Sequence, residues 1–296
     1  IKNNIIAVPT ETVYGLAGNA YSNNSIKKIY KLKKRPKINP LIIHYYNLNA
    51  LKKDVYIDNT FLKLYKKFSP GPITYVLKKR KNSKISKFAS ANLKTIAVRF
   101  PKNKIIKNLL KSLKFPLAIP SANISSAVSP VNSRDVLDEF GKKIKFVLDG
   151  GTSKIGLEST VINLYGKIQI LRPGAISKEE ISKVLKRKIF FLKKTKKLIS
   201  PGLMKKHYSP GIPIKLHCKK VDDKAAFIVF GNKYKYKSKE NIFNLSKSGN
   251  IEEAARKLYR TLRRIKKLGY KKINVAKIPN SKIGIAINDR LRKAAY

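Results

Sequence analysis

Short apolar runs alternate with amphipathic stretches over the first two-thirds of the chain. Seven of these runs are rich in Ile and Val and have the length of β-strands. The predicted strands are Ile5–Val8, Ile73–Leu77, Thr95–Arg99, Leu117–Ile119, Phe146–Leu148, Thr160–Leu164 and Ile168–Leu171. Helices are predicted from a cap at Ser25 to about Lys34, over Asn103–Leu113 and over Ser133–Phe140. This alternation predicts an α/β fold with a twisted, mixed, open sheet and helices.

The pattern changes after this region. Lys193–Pro213 holds three Pro and two Gly without a sustained period, which is typical of a linker. A smaller α/β unit follows, with strands at Ala225–Phe230 and Ile273–Ala276 and helices at Ile251–Leu268 and Ile285–Ala295. We therefore predict three parts: a larger domain at 1–192, a linker at 193–213 and a small C-terminal α/β domain at 214–296.

The predicted helix Ile251–Leu268 has an apolar stripe and a basic face. The basic residues are Arg256, Arg260, Arg263, Arg264 and Lys267. Such a face usually contacts solvent, and contact with RNA is the less favoured interpretation.

The net charge is +51, from 67 basic and 16 acidic residues. Two interpretations are open: a binder of nucleic acid or another polyanion, or the codon bias of an AT-rich genome. The chain has 55 Lys against 12 Arg, and dedicated phosphate-binding surfaces favour Arg. We favour codon bias for the bulk of the charge, although the excess still attracts anionic substrates.

The cysteine content and the length of the apolar runs limit which kinds of site and which cellular setting fit this chain. Cys218 is the single cysteine, so an internal disulfide is excluded and a zinc cluster is not expected. We expect a reducing, cytoplasmic setting and no membrane contact, because no apolar run approaches the length of a bilayer span. The chain begins with Ile1, and we expect that a few leading residues are missing.

Polar segments flank predicted strands at five places, and a sixth lies at the end of the first predicted helix. They are Pro9–Leu16, Lys33–Leu41, Arg99, Pro120–Asn123, Gly156–Thr160 and Arg172–Gly174. In open α/β sheets, ligands bind at the ends of strands, where hydroxyls and cations can receive anions. The sequence has no Walker loop, no GxGxxG and no signature of an activated nucleophile. This composition favours a site that orients anionic substrates so that they react with each other.

Together these segments closely resemble the YrdC-type threonylcarbamoyl-AMP synthase family. The resemblance rests on the run Pro9–Leu16, on Lys33, Arg35 and Pro36 with Asn39–Leu41 and His44, on Pro120–Asn123 and on Glu158–Val161. Three further segments resemble the longer, two-domain members of the family: Pro201–Gly211, Asn244–Ser246 and Ala286–Leu291. The resemblance covers essentially the whole chain, and it implies a YrdC-like domain followed by a Rossmann-like α/β/α domain.

The resemblance implies a nucleotidyltransferase that makes threonylcarbamoyl-AMP and pyrophosphate from L-threonine, bicarbonate or CO2, and ATP. The product serves the threonylcarbamoyladenosine modification of tRNA. Mg²⁺ is expected to be held mainly by the ATP phosphates, without a dedicated metal site in the protein. Proteins that transfer the threonylcarbamoyl group to tRNA are the expected partners. Contact with tRNA itself is not required.

The resemblance also implies roles for individual residues. Catalysis falls to Lys33 and Arg35. Threonine binding falls to Thr12, His44, Arg99 and Ser159, with Arg99 as the carboxylate clamp. ATP binding falls to Lys33, Arg35, Asn39, Thr95, Ser121, Ser129, Arg172 and Tyr208, and Tyr208 is expected to close over the site.

Two alternatives stay open at this point. The charge is compatible with a double-stranded RNA-binding module without catalysis, which would use a concave basic surface. A carbamoyl-transfer accessory domain of a hydrogenase maturation factor is the other, although such domains accompany zinc-finger segments and this chain has one Cys.

Overall fold

The first part of the chain forms an eight-stranded, open, mixed sheet. The computed structural model describes residues 4–193, 200–204, 206–220, 222, 224–232 and 240–295. The strands are β1 (Ile6–Val8), β2 (Gly15–Asn19), β3 (Ile42–His44), β4 (Ile73–Lys78), β5 (Thr95–Arg99), β6 (Leu117–Ala118), β7 (Thr160–Asn163) and β8 (Gln169–Arg172). Their order is β1-β2-β6-β3-β5-β4-β7-β8. The pairs β3–β5 and β4–β7 are parallel and the other five are antiparallel, which confirms the predicted mixed sheet.

Six helices accompany this sheet. They are α1 (Asn23–Lys33), α2 (Leu48–Lys52), α3 (Asn59–Phe68), α4 (Lys104–Ser112), α5 (Ser133–Phe140) and α6 (Lys178–Leu185). The predicted cap of α1 was wrong by one turn, because the side chain of Ser22 accepts the N–H of Ser25. The predicted end of α5 at Gly141 is confirmed.

The sequence pattern missed several short elements and overstated one. β2 contains two Gly and no β-branched residue, and it is a strand because it is paired on both sides. β3 has three residues, and α2, α3 and α6 have five to ten, so their periods are too short to be distinctive. The predicted strand Phe146–Leu148 was wrong, since only an isolated bridge joins Val147 to Ala7.

The last part of the chain forms a second sheet. Its strands are β9 (Ile214–Lys215), β10 (Ala226–Val229), β11 (Ile242–Asn244) and β12 (Ile273–Val275), and its helices are α7 (Ile251–Lys267) and α8 (Gly284–Ala294). The order is β11-β10-β12-β9, and all three pairings are parallel, which fits the predicted Rossmann-like unit. The boundaries at 192/193 and 213/214 stay predictions, and 194–199 of the predicted linker lie outside the described residues.

The two sheets share a hydrophobic core through α7 and α8. Val13, Val128 and Leu157 of the first part pack in one buried cluster with Leu258 and Ile287. Such a shared core ties the orientation of the second sheet to the loops of the first.

The basic face of α7 is mostly exposed, as expected, but two of its residues contact the first part of the chain. Arg263 donates to Glu139 at 3.1 Å and to the carbonyl of Val128 at 2.5 Å. Lys267 pairs with Asp138 at 2.5 Å. Since both acceptors Glu139 and Asp138 lie on α5, this flank of α7 docks onto the first part of the chain.

Across the described part of the chain, no helix combines the length and the apolar character that a bilayer span requires.

Candidate active site

A small cavity lies where strand ends from the large sheet meet. β3 and β5 both end there, because their parallel register pairs His44 with Arg99. β7 begins there, since β4 runs antiparallel to β5 and parallel to β7. The volume is about 40 Å³, room for about three water molecules at roughly 10–15 Å³ each. Eight of the twelve residues predicted for the site line the cavity, namely Thr12, Arg35, His44, Arg99, Ser121, Ser159, Arg172 and Tyr208.

Arg99 forms one wall and already holds two side chains of the loop after β1. Its Nη1 donates to the Thr12 hydroxyl at 2.8 Å, and its Nη2 donates to Glu11 at 2.6 Å. Burial by itself raises the pKa of Glu11, but the charge of Arg99 and the hydrogen bonds from Arg99 and backbone N–H groups together outweigh it, so the pKa is lowered overall. The buried Nε of Arg99 has no partner within the described chain, so this N–H can still donate a hydrogen bond.

His44, beside Arg99 in the register, supplies an acceptor among these donors. Its Nδ1 lies 3.3 Å from the carbonyl of Ile42, which assigns the proton to Nδ1 and leaves a lone pair on Nε2. Burial, and then the charge of Arg99, hold the pKa of His44 well below its usual value, so the ring is neutral at pH 7. Nε2 is buried without a partner among the residues that the structure describes.

The end of α1 carries Lys33, its last residue, and Arg35 two positions later. The surroundings of the two side chains differ. Arg35 lines the cavity and donates to the carbonyls of Asn39 at 3.0 Å and Pro40 at 2.8 Å. Burial lowers the pKa of Arg35 to about 10, so it stays a cation at pH 7. Lys33 is buried behind the cavity, and its Nζ donates to the carbonyls of Ser121 and Asn123 at 2.5 Å each. Lys33 therefore holds the turn that presents Ser121.

The turn after β6 approaches the start of β2 very closely. Gly15 forms an isolated bridge with Ser121. A Cβ at Gly15 would lie 2.3 Å from Ile119 Cγ2 and 2.9 Å from the carbonyl of Pro120. Glycine is therefore required for this packing, and it brings the Ser121 hydroxyl to the cavity.

A further part of the cavity wall is formed by Ser159, just before β7, and Arg172, at the end of β8. Arg172 donates from Nε and Nη2 to the Ser159 carbonyl at 3.1 and 3.0 Å, and from Nη2 to the Ser159 hydroxyl at 3.1 Å. The same hydroxyl lies 2.7 Å from the hydroxyl of Thr74 on β4. The end of β8 and the start of β7 are thereby held as one unit.

Asn39, Thr95 and Ser129, like Lys33, do not line the cavity. Asn39 is buried beside Arg35, and its amide donates to the sulfur of Met204 at 3.2 Å. Ser129 is buried and donates to Glu158 at 2.6 Å. Thr95 begins β5, four residues from Arg99, and at about 3.3 Å per residue it lies about 13 Å along the strand from the cavity. Thr95 therefore lies outside the cavity of this closed form, and its predicted contact with ATP stays a prediction.

A segment of the predicted linker covers the cavity. Pro201, Gly202, His207 and Tyr208 line it, whereas Lys205 lies outside the described residues. The rings of His207 and Tyr208 lie 4.0 Å apart, and both side chains are buried. Burial lowers the pKa of His207 to about 3, so this ring is neutral at pH 7 as well. The cavity is therefore closed by aromatic rings and not by charge.

Several lining residues were not predicted as contacts, and the polar ones among them include Thr10, Glu158 and His207. All three lie within segments that the sequence singled out, next to or near residues that were assigned. Thr10 accepts the N–H groups of Thr12 and Val13 and orders the loop. The sequence marks these segments as polar strand ends for Thr10 and Glu158 and as a linker for His207. It does not show which side chain within a segment faces the cavity.

The cavity is rich in cations and hydroxyls. Glu158, the carboxylate that lines it, is paired with Arg290, and Glu11, in the loop after β1, is paired with Arg99. The described residues contain no group of three or more His, Cys, Asp or Glu side chains that could hold a metal ion. Such an arrangement can bind two anionic groups and hold them together, with protein donors in place of water.

Comparisons with known proteins agree along the whole chain. A family model described as "Telomere recombination", of the Sua5, YciO and YrdC proteins, matches residues 1–174. A second, described as "Threonylcarbamoyl-AMP synthase, C-terminal domain", matches residues 176–296.

Relatives and a solved structure extend this similarity. The threonylcarbamoyl-AMP synthase of Pyrococcus abyssi is 35% identical over 99% of this chain and 91% of its own length. That of Bacillus subtilis is 32% identical over 99% of this chain and 90% of its own length. The crystal structure of Pyrococcus abyssi Sua5 complexed with L-threonine has a TM-score of 0.89 and 33% identity, covering 99% of this chain and 91% of that one.

Proposed function

This chain belongs to the threonylcarbamoyl-AMP synthase family, and on that basis we propose that it makes threonylcarbamoyl-AMP from L-threonine, bicarbonate and ATP. The observation that carries the proposal is the single cavity that gathers Arg35, Arg99 and Arg172 with hydroxyls at strand ends. The threonine amine takes up bicarbonate with loss of water and forms a carbamate. A carbamate oxygen then attacks the α-phosphorus of ATP, and pyrophosphate leaves.

We assign threonine to the wall formed by β3, β5 and the start of β7. Arg99 offers its unpartnered Nε to the carboxylate, and the Nε2 lone pair of His44 accepts from the amine. Thr12 and Ser159 complete this wall with hydroxyls. A neutral His44 does not repel the amine while it reacts.

We assign the ATP phosphates to Arg35, Arg172 and Ser121. Arg35 and Arg172 are planar cations fixed by carbonyls, so they meet phosphate oxygens without reorganisation. Direct contact between Lys33 and the phosphates stays a prediction, since Lys33 Nζ is bonded to two carbonyls here. The catalytic effect of these residues is to place the two reactants and to balance the charge that moves to pyrophosphate.

Mg²⁺ fits this donor set through the nucleotide. Glu158 is the carboxylate that lines the cavity, and its oxygens are taken by Ser129, Tyr259 and Arg290. Mg²⁺ commonly binds through substrate phosphates and water, with few protein ligands. Hydroxyls such as that of Ser121 are the remaining protein oxygens, and the ion would neutralise phosphate charge there.

The covering segment suits a labile product. The cavity of about 40 Å³ is too small for ATP, so the segment around Tyr208 must move to admit it and then close. Closure excludes water, which would hydrolyse both the carbamate and the mixed anhydride. We further propose that cytoplasmic proteins receive the product and transfer it to tRNA. The double-stranded RNA-binding module is not favoured, because the functional groups converge on a closed cavity.

The test is mass spectrometry of the reaction mixture. We expect the wild-type chain with ATP, bicarbonate and threonine to form threonylcarbamoyl-AMP, and no product when threonine is omitted. Arg35→Ala is expected to lose activity by about 100-fold or more, as when a preorganised donor is removed. Lys37→Ala, an exposed cation in the same loop, is the control and should keep its activity. A wild-type reaction that consumes no threonine contradicts the proposal.

A further inference from the structure

One carboxylate joins the second sheet to the cavity. Glu158 lines the cavity immediately before Ser159. Its Oε1 accepts the Ser129 hydroxyl at 2.6 Å. Its Oε2 accepts the Tyr259 hydroxyl at 2.8 Å and Arg290 Nε at 2.9 Å. Tyr259 lies on α7 and Arg290 on α8, so two helices of the second sheet hold a wall of the cavity.

The same two residues contact the covering segment. The Arg290 guanidinium lies 4.9 Å from the ring centre of Tyr208, and the rings of Tyr208 and Tyr259 are stacked at 6.0 Å. Arg290 is fully buried and also pairs with Asp289 at 2.7 Å. The position of Tyr208 is therefore linked to the position of Glu158 through Arg290 and Tyr259.

The charge of Glu158 makes this arrangement significant. Burial alone raises its pKa, but Arg290 and then Arg172 lower it to about 2, so the carboxylate is ionised at pH 7. An unpaired anion at this wall would repel phosphate groups. Arg290 supplies the direct counter-charge at 2.9 Å.

We propose that Arg290 and Tyr259 are positioning residues for the reaction, acting through Glu158 and Tyr208. They hold Glu158 in place and neutralise its charge, so that Glu158 keeps its hydrogen bond with Ser129. They also set the closed position of Tyr208. The second sheet is on this basis a working part of the active site. The inference rests on the proposed function, because its readout is the ATP-dependent step.

Arg290→Met tests the proposal, with Arg292→Met as the control on the same helix. Arg292 is exposed, whereas Arg290 is buried. We expect Arg290→Met to lower kcat/KM for ATP by about 100-fold, as expected when a distant change misplaces a site. The KM for threonine should change by less than about threefold, because Arg99 and His44 do not contact Arg290. A uniform loss of active protein would lower kcat alone and leave both KM values unchanged.

The double variant Glu158→Gln/Arg290→Met separates activity from folding. Removing both charges avoids the uncompensated buried anion that the single variant leaves. We expect it to recover the wild-type urea midpoint more closely than Arg290→Met does, but to stay at least about tenfold impaired with ATP, because Tyr208 still lacks its contact with Arg290. Wild-type activity in this folded double variant would overturn the proposal.

If both charge variants fail to fold, Tyr259→Phe becomes the deciding test, because it removes one hydroxyl and keeps the ring. We expect a loss of about tenfold in kcat/KM for ATP, in line with one hydrogen bond to a charged group. Unchanged kinetics in Tyr259→Phe would then overturn the inference. Failure of the proposed function itself is distinguishable, since the wild-type chain would form no threonylcarbamoyl-AMP.

Discussion

At the residue scale, the cavity is marked by buried polar atoms whose hydrogen bonds are incomplete. Within the described chain, Arg99 Nε, His44 Nε2, His207 Nδ1 and Tyr208 Oη are buried without partners. Leaving such an atom unpaired costs about 1–3 kcal/mol each. All four belong to residues that line one small cavity, so a ligand bound there could complete their hydrogen bonds.

Two hydroxyls predicted for the nucleotide site are separated by this geometry. Ser121 lines the cavity and Thr95 lies at the other end of β5. We expect Ser121→Ala to raise the KM for ATP by about tenfold, as for one lost hydrogen bond to a charged group. Because Thr95 lies outside the cavity, we expect Thr95→Ala to change this KM less than Ser121→Ala does, and steady-state kinetics at saturating threonine check both. An effect of Thr95→Ala as large as that of Ser121→Ala would confirm the nucleotide contact predicted from the sequence.

The two buried imidazoles make stability depend on pH. Burial lowers the pKa of His207 to about 3 and that of His44 well below the ordinary value of 6.5. The unfolded chain takes up protons below pH 6.5 while the folded chain does not, so stability falls as pH drops from 6.5 towards 3. Urea midpoints at pH 7.5, 6 and 5 should decrease in that order.

His207→Gln removes one of the two groups and should make this decrease shallower. His217→Gln, at an exposed position just after β9, is the control. An identical pH profile for His207→Gln and the wild-type chain would contradict the assignment of a neutral, buried His207.

At the element scale, the strands and helices predicted from the sequence are those whose residues form a distinctive pattern. β4 and β5 were predicted from their branched residues, and α7 from its apolar stripe. β2 was missed because Gly and Ala carry no strand signal, and its pairing partners alone define it. The candidate site was largely predictable because its residues follow or precede strands. The bond between Glu158 and Arg290 was not, since it joins positions 132 residues apart without a shared period.

The docking of α7 requires a glycine at position 156. A Cβ at Gly156 would lie 2.7 Å from Arg256 Cα and 2.9 Å from its carbonyl oxygen, and φ is +78°. We expect Gly156→Ala to reduce the free energy of unfolding by about 2–4 kcal/mol, from overpacking added to a left-handed backbone. Urea unfolding measures this loss.

Gly166→Ala isolates the packing contribution to that loss. Gly166 has a φ of +75° and nothing within 4 Å of an added Cβ, so it carries the backbone cost without the clash. It should lose only about 1–2 kcal/mol. Equal losses at positions 156 and 166 would show that α7 does not press on this loop.

At the scale of the whole molecule, the chain is rich in Lys, whereas the cations of the cavity are Arg. The chain has 55 Lys and 12 Arg, yet the cations that line the cavity are Arg35, Arg99 and Arg172. The surface excess is compatible with codon bias, whereas the cavity uses the planar guanidinium that suits carboxylates and phosphates. The net charge of +51 nevertheless acts on every approaching anion.

Ionic strength should therefore separate the two substrates. ATP carries several negative charges and threonine is a zwitterion, so screening weakens only the approach of ATP. We expect kcat/KM for ATP to fall by about tenfold between 0.05 and 0.5 M KCl, within the range of electrostatic steering. The value for threonine should change by less than about twofold. Equal salt dependence for both substrates would show that the charge excess plays no part in binding.

The covering segment also bears on how complexes of this enzyme can be crystallised. With Pro201, Gly202, His207 and Tyr208 seated on the cavity, a lattice grown from the closed form would trap the segment in place. Nucleotide added to such crystals could not enter, because the rings of His207 and Tyr208 would cover the cavity. Mixing ATP and threonine with the protein before the crystals nucleate is therefore the practical way to observe the occupied state.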